Sequence, residues 1–573
     1  MNKIENINAF LNELKNNAGA IWVENDAINM SILKKNQHQA ITDFIVNNRS
    51  QLISVLNENK IFSEETFQHT TIFKNSATIY YPLSPAQERL WFIEQYEEGT
   101  NAYNVPAIYE LGIDTDKESI KRALQQIVSR HEVLRTTIEQ KANMVQGIQL
   151  VHNEPISIEE INLTDKDDYT SLIKEDINQP FDLSKAYPIR VTFYTIKSTS
   201  NHSLHKTLLL INTHHIASDG WSIDIFEKEL FAYYEAYVNK DATFNLPALD
   251  IQYKDYAAWQ KDYLTGDTLA KQLRYWKNKL LGYQPLAFPT DYARPSSIDY
   301  RGAQEAFTIK KEISQKLRVL AQAHGVTLHS VLLSSVAILL NKYTGQDDIV
   351  IGSAIANRHH RQTEELIGFF VNTQANRILL KKSQTFEELI QQVYQQQIEA
   401  QLHQDLPFEK LVNELGVERD SSRHPVFQVM FGVQSFGNQS KHSDQQKNYL
   451  KPYPITEIYE VEKFDLSIFI DDSQEELVGQ ISYAVRLFHK DTIVRLIQHY
   501  THLLDQLIEA PNKSYTKFSL LTNTAYNQIV YEWNNTDKDY QKNKTIYELF
   551  EAQAAKTPDN IALIYEEQQL TYA

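Results

Sequence analysis

The alternation of helical and strand-like segments from about Tyr80 to about Leu520 is the feature that most limits the fold of this chain. Segments with apolar residues at helical spacing, such as "DKESIKRALQQIVSRHEVLR" and "TFEELIQQVYQQQIEAQ", alternate with apolar runs such as "KTLLLINTH" and "DDIVIGSAIA". The order lacks strict βαβ regularity, so it predicts a mixed α/β or α+β fold. Since roughly 440 residues are too many for one core, we expect two lobes.

The first 60 residues predict a small unit of their own. One helical face is followed by "AIWVENDAINMSI", in which alternating apolar positions flank an Asn25-Asp26 turn and predict a β-hairpin. The hairpin contains Trp22, Val23, Ile28, Met30 and Ile32, and the preceding helical face contains Ile4, Ile7, Phe10, Leu11 and Leu14. A second helical pattern covers "HQAITDFIVNNRSQLISVLNEN". An open hairpin edge can pair with an added strand; the alternative is a plain extension that packs on the main body.

Polar stretches without periodicity separate the main body from both ends of the chain. Residues 61–77 and 521–544 have this character and are interpreted as linkers. A fresh pattern, "TIYELFEAQAAKTPDNIALIYEEQQLTYA", then occupies residues 545–573 and stops inside an apparent strand. We therefore expect the chain to be a piece of a longer polypeptide.

Charge and composition exclude several classes of function. The formal net charge is −17 and the basic residues are scattered, which argues against nucleic acid as a partner. The absence of cysteine excludes disulfides, thiol nucleophiles and cysteine-bound zinc. The N-terminus has no secretory pattern, and no stretch approaches the roughly 20 apolar residues of a membrane helix. These features predict a soluble, cytoplasmic protein with no membrane partner.

The stretch "INTHHIASDGWSIDIF" (211–226) carries the chemistry most open to interpretation. His214 and His215 end a strand-like run, so their side chains point to opposite faces and do not share a metal ion. One imidazole that reaches a cleft can act as a base near neutral pH, because its reference pKa is about 6.5. Asp219 either contacts a ring or pairs with an arginine and braces the loop, and Gly220 allows close approach. Neither a GxSxG elbow nor a Walker or GxGxxG loop is present in the sequence.

Seven stretches in a fixed order resemble the motifs of condensation domains of nonribosomal peptide synthetases, in the chloramphenicol-acetyltransferase-like superfamily. "HHIASDG" (214–220) is similar to the HHxxxDG motif of that family. The other six are "LSPAQERLWFIEQ" (83–95), "RHEVLRTTI" (130–138), "YKDYAAWQ" (253–260), "IGFFVNTQANR" (367–377), "HQDLPFEKLV" (403–412) and "RDSSRHPVFQVMF" (419–431). Together they span about 350 residues, which makes the resemblance specific.

The resemblance implies two acetyltransferase-like lobes in a V around a substrate tunnel, at residues 78–255 and 256–520. Donor and acceptor substrates would enter from opposite faces on the phosphopantetheine arms of partner carrier domains, and no cofactor would be bound by the chain itself. The acceptor's α-amine would attack the donor's thioester carbonyl, with His215 facing the tunnel as either a base or an orienting group. His214 would be structural, and Asp219 would pair with an arginine for which Arg358 is the candidate. Separately from the resemblance, the position of Gly220 at the start of the following helix suggests the hypothesis that its backbone amide is an oxyanion donor.

The remaining residues around these motifs are given supporting roles. Trp221 and Ser222 follow the histidine motif directly, and "DGWS" differs from the order that is typical of epimerisation domains. Asn372 and Arg377 are expected to bridge the lobes rather than touch substrate. Trp22 is as consistent with a core position as with a contact residue.

The ends of the chain fit the same resemblance. Residues 1–60 resemble a β-hairpin docking domain that receives the short C-terminal segment of an upstream synthetase subunit. Residues 545–573 resemble the start of an adenylation domain that continues downstream, and the family implies a monomer. The alternatives are an epimerisation-type domain of the same superfamily or a scaffold that recruits carrier and docking partners without catalysis.

Overall fold

The computed structural model describes residues 7–16, 19–25, 27–31, 38–74, 80–96, 101–140, 146–199, 205–417, 420–434, 449–454, 461–539 and 541–573. Ile4, Asp26, Ile32 and the first residue of "RDSSRHPVFQVMF" lie outside the described residues. The chain divides into two compact units, Met1–Phe518 and Ser519–Ala573.

The helices of the first unit follow the periodic segments of the sequence. They are α1 (Ile7–Asn16), α2 (His38–Asn47), α3 (Arg49–Glu58), α4 (Glu64–His69), α5 (Pro85–Tyr96), α6 (Lys117–Arg130), α7 (Tyr169–Asn178), α8 (Gly220–Val238), α9 (Tyr253–Tyr263), α10 (Gly266–Leu280), α11 (Lys311–Ala323), α12 (Leu328–Thr344), α13 (Phe386–Gln401), α14 (Phe408–Leu415) and α15 (Lys490–Glu509).

The strands of the first unit are short and mostly antiparallel. They are β1 (Ala20–Glu24), β2 (Ala27–Ser31), β3 (Tyr81–Pro82), β4 (Asn104–Leu111), β5 (Thr136–Gln140), β6 (Gly147–Val151), β7 (Ile158–Thr164), β8 (Ile189–Lys197), β9 (His205–His214), β10 (Gly302–Ile309), β11 (Asp348–Ile355), β12 (Asn372–Leu379), β13 (Val429–Gln434), β14 (Leu450–Pro452), β15 (Leu466–Asp471) and β16 (Leu477–Ala484).

Two central sheets define two lobes and confirm the mixed α/β class. The N-terminal lobe has a five-stranded sheet in the order β14-β4-β9-β8-β7, with a small β3-β6-β5 sheet beside it. The C-terminal lobe has a six-stranded sheet in the order β10-β16-β15-β13-β11-β12. Helix α12 is buried on all sides of its central turns, where its apolar side chains alternate with serines whose hydroxyls are hydrogen-bonded, as expected for a helix in the middle of a lobe.

Local sequence signals fix where the main helices begin and end. The Thr327 hydroxyl caps α12 by accepting the Ser330 N–H, and Gly345 ends that helix in the left-handed region at φ 71°. Thr385 and Glu388 form a capping box that starts α13. By contrast, the single helical pattern of residues 38–59 is broken at Asn48, whose side-chain amide donates to the Phe44 carbonyl at 2.9 Å.

The N-terminal residues form a small subdomain with its own core. Helix α1, strand β1 and helices α2 and α3 surround a cluster that includes Phe10, Leu11, Ile21, Leu52 and Leu56. The subdomain packs on the main body through α1 and α9. Gln362 adds a second connection, because its Oε1 accepts the N–H groups of Thr71 and Ile72 at 3.1 and 3.0 Å.

The linker predicted at residues 61–77 is wrong for the part that the structure describes. Residues 64–69 form α4, started by a Ser63–Thr66 capping box, and Ile61, Phe67 and Phe73 are buried in the subdomain core. These apolar residues are too widely spaced to give a periodic signal, so the segment looks polar in sequence. Residues 75–77 lie outside the described residues.

The predicted boundary between the lobes at residues 255 and 256 also needs correction. It falls inside α9, whose Tyr253, Tyr256 and Trp259 are buried in the core of the N-terminal lobe. The first helix that packs mainly in the C-terminal lobe is α10, through Trp276 and Leu280. Strand β14 returns from the C-terminal half of the chain to pair with β4. A cut in sequence therefore does not separate the lobes, because the chain crosses between them more than once.

The second unit contains short elements with no buried side chain among its described residues. Helices α16 (Asn523–Asn527) and α17 (Ile546–Lys556) precede a hairpin of β17 (Ile561–Tyr565) and β18 (Gln568–Thr571). A π-helical turn at Gln528–Glu532 follows α16, so the predicted linker at 521–544 contains local structure. In the part of the chain that is described, no single helix meets the length and hydropathy of a membrane span, although the bent pair α11 and α12 passes that test together.

Candidate active site

The two histidines lie at the junction of a buried strand and a helix, as the sequence predicts. Strand β9 lies between β4 and β8 and ends at His214, a 3₁₀ turn covers His215–Ala217, and α8 starts at Gly220. The backbone N–H of His214 donates to the Pro188 carbonyl at 2.9 Å, and that of His215 donates to the Tyr103 carbonyl at 2.8 Å. The neighbouring strands thus hold both backbone positions.

His214 is fully buried and uses both ring nitrogens. Its Nδ1 accepts the Ile216 N–H at 3.1 Å, which places the ring proton on Nε2, and Nε2 donates to Oε1 of Glu94 at 2.9 Å. Burial lowers its pKa, although the Glu94 carboxylate opposes that effect. An imidazole with both nitrogens engaged inside the protein holds the strand end in place and has no lone pair for a substrate.

His215 is half-buried and keeps one nitrogen available. Its Nδ1 donates to the Ser218 carbonyl at 2.7 Å, which leaves the lone pair on Nε2. Among the described residues, none hydrogen-bonds to Nε2. Burial and, next, the positive charge of Lys463 lower the pKa of His215 to about 4. The ring is therefore neutral at pH 7 and presents an acceptor.

Asp219 forms an ion pair with Arg358 and contacts neither histidine ring in the described hydrogen bonds. Its Oδ1 accepts Arg358 Nη2 at 3.1 Å and caps α8 by accepting the Ser222 N–H at 2.9 Å. Its Oδ2 accepts the Phe370 N–H at 3.0 Å. Arg358 is also buried, donates through Nη1 to two carbonyls at 2.6 Å and lies over the Phe370 ring. Of the two sequence interpretations of Asp219, the structure therefore shows the arginine partner.

Asp219, Arg358 and Ser222 form a hydrogen-bonded clamp at the start of α8. Residues 366–370 connect this clamp to the C-terminal lobe. Ser222 Oγ accepts the Gly368 N–H at 3.0 Å, and the Tyr253 hydroxyl donates to the Phe369 carbonyl at 2.6 Å. Gly368 has no room for a side chain, because a Cβ there would lie 2.1 Å from the Tyr253 ring. The segment places the Phe369 ring edge-to-face with the His215 ring, with 4.9 Å between their centroids.

Gly220 and Trp221 lie on the accessible side of the motif. Gly220 is the first residue of α8, and a Cβ built on it meets no heavy atom within 4 Å. The N-terminal N–H groups of a helix have no partner within the helix and carry its positive dipole end, so they favour a negative charge close to them. Trp221 is exposed, and its indole Nε1 donates to the Glu364 carbonyl at 3.1 Å.

Asn372 and Arg377 do not bridge the lobes, so that prediction is wrong. The Asn372 amide donates to the carbonyls of Gln404 and Leu406 at 2.9 and 2.8 Å, within the C-terminal lobe. Arg377 forms a bidentate pair with Asp348 on the adjacent strand β11, at 2.9 and 2.7 Å. Both side chains find partners on neighbouring segments of their own lobe. An ion pair between Arg89 of α5 and Glu409 of α14 connects the lobes instead, at 2.7 Å.

Several residues around His215 were missed by sequence reasoning. Glu94 lies in the quoted opening motif but had no assigned role, and its partner becomes visible only when α5 packs beside β9. Tyr103, Phe369 and Lys463 are far apart in sequence and converge through the fold, so no local pattern identifies them. Within the described residues, no group of three or more His, Cys, Asp or Glu side chains is arranged to hold a metal ion.

Comparisons with known proteins identify the family. Residues 78–530 match the condensation-domain family. The chain is 37% identical over 506 residues to a subunit of linear gramicidin synthase from Brevibacillus parabrevis, in a match that covers 87% of this chain and 10% of that protein. It is 34% identical over 511 residues to gramicidin S synthase 2 of Brevibacillus brevis, in a match that covers 89% of this chain and 11% of that protein.

Solved structures show the same fold. The X-domain of teicoplanin biosynthesis, in its complex with OxyB, matches with a TM-score of 0.69 and 27% identity over 78% of this chain and 97% of that one. A four-domain nonribosomal peptide synthetase matches with a TM-score of 0.73 and 21% identity over 86% of this chain and 37% of that one, which shows the fold alone. The chain belongs to the condensation-domain family. It spans about a tenth of the length of the two gramicidin synthases it matches.

Proposed function

We propose that this chain forms peptide bonds between two thioester-bound substrates carried on the phosphopantetheine arms of partner carrier domains. The observation that supports this most strongly is His215, whose Nε2 lone pair is unused within the described residues and whose pKa of about 4 keeps the ring neutral. A neutral imidazole at the junction of two lobes presents a hydrogen-bond acceptor to an incoming amine, and it takes the amine proton as the C–N bond forms and the nitrogen becomes acidic. No cofactor is needed on the chain itself, because the carrier arms bring both reactants.

The reaction follows from the properties of the reactants. The acceptor's α-amine has a reference pKa near 8, so part of it is already neutral at pH 7. Its nitrogen attacks the donor's thioester carbonyl, a C–N bond forms, and one amine proton moves to His215 Nε2. When the C–S bond breaks, His215 returns that proton to the leaving thiolate, so the imidazole ends neutral. Orientation of the amine by Nε2 is the alternative role, and both roles use the same lone pair.

The clamp around Asp219 holds these groups in place. Asp219, Arg358 and Ser222 fix the start of α8 and, through Gly368, the segment that carries Phe369. We assign the oxyanion of the addition intermediate to the backbone N–H groups at Gly220, which open onto free space at the positive end of α8. Asp219 and Arg358 are positioning residues in this scheme.

The N-terminal subdomain is proposed as the docking site for the C-terminal segment of an upstream synthetase subunit. The Val23 N–H donates to the Ile61 carbonyl at 3.0 Å, so the outer edge of β1 is already occupied. The outward N–H of Val23 makes Val23 and Ile28 a non-hydrogen-bonded pair of the hairpin. The backbone N–H and C=O groups of Ile28, and of Met30 two residues further on, therefore point away from β1 to the outer edge of β2. An added strand therefore has β2 to pair with, and the half-buried side chains of Trp22, Ile28 and Met30 lie beside it.

Docking is tested by titrating a peptide that matches the C-terminus of the upstream synthetase against the chain. Met30→Pro removes the outward N–H of β2 and should abolish peptide binding, while Met30→Ala keeps that N–H and serves as the matched control for loss of the methionine side chain. Equal affinity for the Met30→Pro variant and the wild type would place the docking site elsewhere.

The second unit is proposed as the start of an adenylation domain. Its apolar side chains, among them Ile546, Phe550, Leu563 and Leu570, are exposed, as expected of elements that need further chain to cover them.

We propose that the chain works as a monomer in the cytoplasm, where its carrier and adenylation partners are joined to it or docked.

The proposed reaction is tested in a single-turnover assay with separately loaded carriers. A donor aminoacyl carrier and an acceptor aminoacyl carrier are mixed with the chain, and the acceptor carrier is followed by mass spectrometry. We expect dipeptide on the acceptor carrier, with an L-configured donor preferred over its D form. A change of configuration at the donor without amide formation would indicate the epimerisation alternative. No product from either donor, together with binding of both carriers, would indicate a scaffold.

A further inference from the structure

A lysine that the mechanism does not use reaches the reaction site from the opposite lobe. Lys463 lies three residues before β15 of the C-terminal lobe, and its Nζ lies 4.3 Å from the centre of the Tyr103 ring in the N-terminal lobe. The Tyr103 carbonyl accepts the His215 N–H at 2.8 Å. Tyr103 of the N-terminal lobe therefore lies between Lys463 and the backbone of His215.

The charge of Lys463 is not neutralised by an ion pair among the described residues. Its neighbour Glu462 is buried and uses Oε1 to accept the N–H groups of Lys463 and Phe464 and the hydroxyl of Ser467, each at 2.8 Å. The carboxylate of Glu409 is paired with Arg89. Since none of the described residues forms an ion pair with its Nζ, the ammonium group over the Tyr103 ring contributes positive charge to the site.

We propose that Lys463 is a positioning residue of the condensation site, whose ammonium group disfavours a second positive charge there and so favours the neutral form of the amine that approaches His215. A fixed positive charge disfavours any second positive charge nearby, so it acts on the imidazole and on the acceptor's ammonium in the same direction. The effect on the acceptor rests on the proposed function, whereas the effect on His215 belongs to the chain itself.

The electrostatic balance at His215 agrees with this geometry. Burial is the first cause of its lowered pKa, the charge of Lys463 is the second, and Asp219 opposes both. Burial and the charge of Arg89 lower the pKa of Lys463 to about 8, while Glu462 opposes them, so the ammonium is largely charged at pH 7. The titratable and charged groups that face Lys463 are Arg89 on α5, Tyr103 before β4, His214 and His215 at the end of β9, and Glu462. His424, which burial keeps neutral with a pKa of about 3, faces Arg89.

The direct test is a titration of His215 by NMR in the chain without substrate. Histidine labelled with ¹³C at Cε1 is incorporated, and His215→Asn identifies the His215 signal among the 18 histidines. In the wild type, the His215 signal should not titrate above about pH 5. In Lys463→Met the midpoint should rise by about one pKa unit or more, and Lys463→Arg should restore the wild-type value because arginine remains charged.

Controls separate the charge from the packing of the side chain. Lys463→Gln provides a second neutral variant if the methionine variant does not fold, and Lys451→Met removes an exposed lysine of β14. Equal midpoints in the wild type and in the folded neutral variants would overturn the proposal. An upward shift in Lys463→Arg as large as in Lys463→Met would also overturn it, because charge would then not be the cause.

The pH dependence of single-turnover condensation provides the second readout. At pH 6.5 the Lys463→Met rate should be about threefold below the wild type, because a rise of one unit in the pKa of the acceptor amine lowers its neutral fraction about tenfold while the matching rise at His215 makes the imidazole a stronger base. The rates of the wild type and Lys463→Met should converge above about pH 9, where Lys463 has lost its proton and the acceptor amine is largely neutral in both proteins. Absence of product from the wild type would refute the proposed function and leave the NMR result on His215 to decide the role of Lys463.

Discussion

His214 and His215 are adjacent in sequence, and their hydrogen bonds give them different chemistry. His214 accepts with Nδ1 and donates with Nε2, so neither nitrogen is available. His215 donates with Nδ1 and keeps Nε2. The difference arises because β9 ends between them and the 3₁₀ turn redirects the second ring. At this scale, function depends on which ring nitrogen the backbone has already used.

The buried ion pair of Asp219 and Arg358 makes a stability prediction. Arg358→Met leaves the Asp219 carboxylate buried without its cation, which should lower the free energy of unfolding by about 3–5 kcal/mol. Asp219→Asn combined with Arg358→Met should recover part of this loss, since the asparagine still caps α8 and carries no charge. Urea denaturation followed by tryptophan fluorescence measures both.

Arg301 is the matched control for that experiment. It forms an ion pair with Asp299, but its side chain is 62% exposed. Arg301→Met should therefore change the free energy of unfolding by about 1 kcal/mol or less. If Arg358→Met were no more destabilising than Arg301→Met, the ion pair of Asp219 and Arg358 would not be what fixes the start of α8.

The sequence predicted which residues matter in the motif, but not their partners. "HHIASDG" and the alternation of faces along a strand are enough to separate the two histidines. Arg358 was available only as a candidate, because nothing local distinguishes it from the other arginines. Glu94 and Lys463 carry no signal at all, since the role of Glu94 depends on its contact with His214 and that of Lys463 on its contact with Tyr103.

At the scale of elements, the N-terminus of α8 gives a prediction about the oxyanion. Proline is well accepted at the first position of a helix, and Asp219 is already extended at φ −135° and ψ 179°, as a residue before proline must be. Gly220→Pro should therefore fold, yet it removes one N–H group. If that group stabilises the oxyanion, condensation should slow about 10²–10³-fold.

Gly220→Ala is the matched variant, since it retains the N–H group and its methyl group meets open space. Single-turnover rates of the two variants, with circular dichroism to check folding, separate the N–H group from the glycine itself. A proline variant as fast as the alanine variant would remove Gly220 from the oxyanion site.

Elements with strong local signals were predicted closely, and the others were not. Strand β9 and helices α12 and α13 agree with the periodic segments because capping residues and Gly345 mark their ends. The break at Asn48 was missed because the apolar spacing continues through it. Helix α4 was missed because its burial depends on a few separated aromatic and aliphatic residues that pack only in the assembled subdomain.

At the scale of the whole molecule, the lobes are joined by contacts that a division in sequence does not show. Arg89 pairs with Glu409, Ser222 bonds to Gly368, and β14 joins the sheet of the N-terminal lobe. Gln362 connects the N-terminal subdomain to the segment that follows Arg358. The sequence predicted two lobes from length and alternation, whereas these crossings arise from pairs of residues more than 100 positions apart.

Buried histidines make the molecule sensitive to acid. Burial lowers the pKa of His215 and His329 to about 4 and that of His424 to about 3. Between pH 6.5 and these values the unfolded chain binds protons that the folded chain does not, so stability falls as the pH falls. Burial raises the pKa of Asp255 to about 6, which acts in the opposite direction. Each such histidine should cost about 2 kcal/mol at pH 5 relative to pH 7.

Urea denaturation at pH 7 and pH 5 measures this effect. We expect a lower midpoint at pH 5 and a smaller drop in His424→Gln, which binds no proton there. His205→Ala, at the exposed start of β9, should not change the size of the drop. A midpoint that is equal or higher at pH 5 would show that the buried histidines do not control acid stability.

The central claim, that the Nε2 of His215 handles the amine proton, is tested most directly by single-turnover condensation at pH 7 in the wild type, His215→Ala and His205→Ala. His205 lies on the same strand, β9, and is exposed, so its variant controls for the removal of a histidine. We expect His205→Ala to match the wild type and His215→Ala to lose about 10²–10⁴-fold in rate. Equal rates in all three proteins, with His215→Ala shown to be folded, would contradict this account.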